Sequence, residues 1–81
     1  MTKWDKFRAT LMEGRSDKNI DFDELITFLQ RLDFAERTSG SHHVLTHEDV
    51  AEILSLQRKP DGKAKPYQVK QVRLVIDQYG L

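Results

Sequence analysis

The chain has 81 residues, room for one small hydrophobic core but not for two domains around a buried cofactor. Thirteen basic residues balance thirteen acidic ones, so net charge alone argues neither for nor against a nucleic-acid partner. Cysteine is absent, which excludes disulfides and thiolate metal sites, and no apolar run reaches membrane-spanning length.

In place of the apolar stretch of a secretion signal, the first residues predict an amphipathic helix over 3–13, and the expectation is a cytoplasmic protein without membrane contact. Thr2 and Asp5 have the spacing of a capping box, Trp4, Phe7 and Leu11 share a face, and Gly14 ends the helix. A second helix is predicted from Phe22 to Leu32, capped by Asp21, with Phe22, Leu25, Ile26, Leu29 and Leu32 as its apolar stripe and Phe28 placed to meet the first helix. Strand character follows: Phe34 to Thr38, a turn at Ser39-Gly40-Ser41, His43 to Thr46, and Ile53 to Gln57. The acidic link His47 to Glu52 reads as a turn of helix or a wide loop. Arg58 to Lys65 reads as a solvated loop around Pro60-Asp61-Gly62. A last helix is predicted from Pro66 to Tyr79, with Val69, Val72, Ile76 and Tyr79 facing the sheet and Gln68, Lys70, Gln71 and Arg73 turned outward. The expected fold is α+β in the order α-α-β-β-β-α, a three-stranded antiparallel sheet with helices on one face.

Charge is unevenly spread along this frame. Arg58 to Arg73 holds six basic residues against one acid, so that segment carries +5 and the remainder −5. Its reading is either a solvated helix face or an anion-binding surface. All three histidines fall within six positions, at 42, 43 and 47, beside the Gly-Ser turn. Neighbours on a strand point to opposite faces and no second cluster of ligands supports them, so a metal site is not expected. Ser41 lacks the pattern of a nucleophile elbow, and there is no Gly-rich phosphate loop. What remains is a histidine beside a turn, near cations and hydroxyls. That set is either ordinary surface polarity or the equipment for cleaving RNA, in which an imidazole moves a proton, cations stabilise the phosphorane and the 2′-hydroxyl is the nucleophile.

These residues carry a resemblance. The segment Phe34 to His43 with Gly40-Ser41-His42, the helix before it, and Lys63-Ala64-Lys65-Pro66-Tyr67-Gln68-Val69 leading to Tyr79-Gly80-Leu81 resemble the HicA toxins of prokaryotic toxin-antitoxin modules, from about residue 19 to the end. The resemblance implies a fold like the double-stranded RNA-binding domain and a translation-independent, metal-independent mRNA endonuclease that needs no cofactor. It also implies a HicB-like antitoxin that binds the toxin and masks its histidine. Carried onto this chain, the catalytic histidine is His42, and His43 takes a variable position. Such a fold reads RNA by shape and backbone, which makes Arg37, Ser41, Lys63, Lys65, Lys70 and Arg73 the candidate RNA-binding residues. Residues 1–18 form an N-terminal helical extension to a unit spanning 19–81. This chain departs from the family in its neutral charge, and in having Leu56-Gln57-Arg58-Lys59 where many members carry a proline and a histidine. The alternatives are a non-catalytic RNA-binding module and a protein-interaction domain.

Overall fold

Short polar side chains decide where the first two helices begin. In the computed structural model, which describes residues 2–81, α1 spans Lys3–Glu13. Thr2 Oγ1 accepts the Asp5 N–H at 3.1 Å and Asp5 Oδ2 accepts the Thr2 N–H at 3.1 Å, satisfying two backbone donors reciprocally. Gly14 ends α1 at φ 80°, where a residue with a Cβ would be strained. After a short 3-10 turn at Asp17–Asn19, α2 spans Phe22–Arg31, and Asp21 Oδ2 accepts the Glu24 N–H at 3.0 Å. Leu32, predicted as the last helical residue, is the cap. Asp33 takes φ 73°, so that its N–H donates to Gln30 O and the Phe34 N–H donates to Leu29 O, each at 3.0 Å. Phe34 thereby spends its amide on the helix end, and the first strand starts one residue later than predicted.

The strands β1 (Ala35–Ser39), β2 (His42–His47) and β3 (Val50–Gln57) form an antiparallel sheet in the order β1-β2-β3. Ser39 pairs with His42 across Gly40-Ser41, where Gly40 supplies a φ of 61°. The link between β2 and β3 is neither a turn of helix nor a wide loop: Glu48-Asp49 is a two-residue turn with His47 opposite Val50. Two local features mark it. His47 Nδ1 accepts the Asp49 N–H at 3.0 Å, and the register shifts between Leu45 and His47, which brings His47 opposite Val50.

One face of the sheet makes the core. Leu45, Leu54 and Leu56 are fully buried against Phe22, Leu25 and Leu29 of α2 and against Val69 and Val72 of α3, which spans Pro66–Tyr79. Helix α1 adds Phe7 and Leu11, with the Phe7 ring 5.1 Å and the Trp4 ring 6.3 Å from that of Phe28. The architecture is the expected α+β fold, order α-α-β-β-β-α. No helix among the described residues is long and apolar enough to cross a membrane.

Two residues on α3 overturn the outward assignment. Gln68 is buried: its Oε1 accepts the Gln57 N–H at 3.0 Å and its Nε2 donates to Ser55 O at 3.3 Å. Arg73 turns inward and clamps two other segments to α3. Its Nη1 donates to Leu11 O at 3.0 Å and to Asp17 Oδ1 at 2.8 Å, and its Nη2 donates to Asp17 Oδ2 at 3.0 Å. A Cβ on Gly14 would meet this guanidinium at 3.4 Å, ordinary contact distance, so the glycine is needed for its backbone angle rather than for room. The loop Arg58–Lys65 is less solvated than expected. The Ala64 N–H donates to Ile20 O at 2.9 Å and the Phe22 N–H to Gly62 O at 3.0 Å, which straps the loop to the entry of α2 and buries Ala64.

Candidate active site

Strand pleating sorts the three histidines. Residues 43, 45 and 47 of β2 share the helix-covered face, while 42, 44 and 46 share the face that no helix covers. His47 lies against Phe34, with ring centroids 5.0 Å apart, and its Nδ1 is committed to the turn. His43 lies edge-on against Phe22 at 4.9 Å, and its Nδ1 is 2.5 Å from Glu36 Oε2. Glu36 is held in turn by Gln30, whose Nε2 donates to Glu36 Oε1 at 3.2 Å. An ionised carboxylate only accepts, so the Nδ1 of His43 carries the proton of that bond. Packing and turn closure thus occupy two of the imidazoles.

His42 is different. It is exposed on the uncovered face, and its one hydrogen-bond neighbour is Ser55 Oγ, 3.3 Å from Nδ1. A residue directly across the ladder, Gln57, carries the rest of the site: its Nε2 donates to Ser41 Oγ at 3.0 Å and its Oε1 accepts from Lys65 Nζ at 2.6 Å. Ser55 and Gln57 alternate with the buried Leu54 and Leu56 on β3, and pairing them with His42 required the register. Arg37 lies on the same face of β1, opposite Val44.

Ion pairing sorts the cations. Arg58 pairs with Asp23, Lys59 with Asp61 and Arg73 with Asp17. Among the described residues, no carboxylate lies within salt-bridge distance of Arg37, Lys63, Lys65 or Lys70. Lys65 is joined to His42's surroundings through Gln57, whereas Lys63 stands in the strapped loop and Lys70 is exposed on α3. Arg73 belongs with the clamp and not with this face. Its hydrogen bonds hold the Asp17 carboxyl below the ordinary carboxylate value, and the same bonds raise the Arg73 guanidinium further. Elsewhere, the Lys63 N–H keeps Asp61 low, and the hydrogen bond from Tyr79 to Glu52 keeps the Tyr79 hydroxyl high.

Together these groups offer an accessible imidazole with one nitrogen near a hydroxyl, a second hydroxyl from the turn, and an uncompensated ammonium. That set can move a proton next to a bound anion. A family model described as the HicA toxin of bacterial toxin-antitoxin modules matches residues 22–81, which takes in every strand, α2, α3 and His42, and leaves α1 outside. Neither a curated protein nor a solved structure matches the chain.

Proposed function

The chain belongs to the HicA toxin family, and from that premise we propose that it is an endoribonuclease that cleaves mRNA in the cytoplasm, without a metal ion, using His42 as general acid and base. The observation that carries this reading is the availability of His42: of three histidines it alone is used by neither the core nor a turn, and it faces outward on the uncovered side of the sheet. In the neutral form, the imidazole takes the 2′-hydroxyl proton as O2′ attacks phosphorus. The bond from phosphorus to O5′ then breaks, leaving a 2′,3′-cyclic phosphate and a 5′-hydroxyl whose proton the imidazolium supplies. The nucleophile lies within the RNA, so no separate water needs activating. Arg37, Lys63, Lys65 and Lys70 hold the phosphate backbone, and Ser41 contacts it from the turn. A toxin family implies a cognate antitoxin, and a HicB-like partner that covers His42 would silence the site.

The test is incubation of wild-type protein and His42→Ala with a long mRNA in excess EDTA, both checked for equal folding by circular dichroism. Cleavage by wild type alone supports the proposal. If neither protein cleaves and both bind RNA with a steep salt dependence, the chain is an RNA-binding module instead.

A further inference from the structure

The end of β3, where this sequence has Gln57, holds a second component of the site. Gln57 stands directly across the ladder from His42, on the same uncovered face. Its backbone is fixed from behind by Gln68, a buried side chain whose Oε1 takes the Gln57 N–H at 3.0 Å. Its side-chain amide divides its two ends: Oε1 takes Lys65 Nζ at 2.6 Å, and Nε2 reaches Ser41 Oγ at 3.0 Å. A neutral acceptor can hold an ammonium in place without cancelling its charge, as a carboxylate there would. Lys65 has no carboxylate partner among the described residues, so it reaches the site with its full charge and little freedom.

We infer that Gln57 is a positioning residue: it presents the Lys65 ammonium and the Ser41 hydroxyl to the phosphodiester of an RNA strand held at His42. The inference rests on the proposed ribonuclease reading and adds to it the group that organises charge around the phosphate. Lys65 then stabilises the charge that builds on the phosphoryl oxygens while His42 moves the proton, and Gln57 touches neither RNA nor the reacting atoms.

The experiment compares wild type, Gln57→Ala, Gln57→Glu and Lys65→Gln for cleavage of a long mRNA and for the salt dependence of binding to a single-stranded oligonucleotide with 2′-deoxy sugars. Circular dichroism and melting confirm that each is folded. Gln57→Glu puts a carboxylate on Lys65, and its salt slope should fall by about 0.7, one phosphate contact on a single strand, matching Lys65→Gln. Gln57→Ala leaves the charge and releases its position, so kcat should fall about tenfold while the salt slope stays near the wild-type value. A salt slope for Gln57→Glu equal to that of wild type, or equal cleavage by wild type and Gln57→Ala, overturns the inference. Absence of cleavage by wild type itself overturns the ribonuclease reading, and the binding slopes still decide whether Gln57 presents Lys65 to an RNA-like strand.

Discussion

His42 and His43 are the same side chain on consecutive residues of one strand, and the pleat gives them opposite surroundings. On the covered face polar groups are matched: His43 with Glu36, Glu36 with Gln30, and Glu52 with the Tyr79 hydroxyl at 2.6 Å. On the uncovered face His42 has one long contact with Ser55, and Ser41, Gln57 and Lys65 bond one another at the solvent boundary. A group whose hydrogen bonds are complete holds the fold, and a group with bonds to spare is available to a ligand. The basic segment divides in the same way, with Arg73 drawn into the clamp and Lys65 left to the open side.

Replacing each histidine in turn is the most severe way to break this contrast. His42→Ala should lower mRNA cleavage about 100-fold or more, the usual worth of a general acid–base, with its melting temperature unchanged. His43→Ala, assayed where it is folded, should keep most of its cleavage rate; equal losses in the two variants would erase the distinction between the faces.

Arg73→Ala comes next. Losing two charge-assisted hydrogen bonds to a half-buried carboxylate and one to the Leu11 carbonyl should cost about 2–3 kcal/mol and lower Tm by on the order of 10 °C, while the salt slope of RNA binding stays put. The pH dependence follows from the same pair. Because the folded Asp17 carboxyl is held below its ordinary 3.8, the clamp contributes in full above that value and is lost as pH falls through the lower, folded one. Urea midpoints measured from neutrality down to about pH 2.5 should therefore drop less steeply for Asp17→Asn than for wild type.

The covered face can be probed more gently. His43→Ala should destabilise by about 1 kcal/mol, through loss of the Glu36 hydrogen bond and the Phe22 contact, and a thermal melt reads it. The smallest effect is expected at Asp33, a residue with a Cβ in the left-handed region. Asp33→Gly relieves that strain at some cost in chain entropy and should raise stability by no more than about 1 kcal/mol.

The helices were legible because their signals are local. Thr2, Asp21, Gly14 and Gly80 act within one turn of themselves, and each end lies within a residue of its expected place. The β2–β3 turn was not legible, since Glu48-Asp49 is closed by the His47 ring and an irregular register, neither of which has a residue pattern of its own. Gln68 and Arg73 misled for a different reason. Gln68 falls four residues before Val72 and Arg73 four after Val69, so helical periodicity placed both beside buried positions while their polarity argued for solvent. Their partners, the backbone of β3 and Asp17, lie 11 or more residues away and only the folded chain supplies them. The site divides similarly: His42 was legible from its turn, and the bond between Gln57 and Lys65 was not.

The amide of Gln68 also bears on how the sheet ends. A strand at a sheet's margin offers its unpaired backbone to any extended chain that drifts past, which is how native proteins seed aggregates. On β3 the Gln57 N–H and Ser55 carbonyl are already taken by Gln68, and the Ala51 N–H by the Tyr79 hydroxyl. On the opposite margin, β1 is five residues long and carries Glu36 and Arg37. An intruding strand thus meets a partly occupied edge on one side and a short, charged one on the other, and Gln68 and Tyr79 together take up backbone groups that a neighbour strand would otherwise pair.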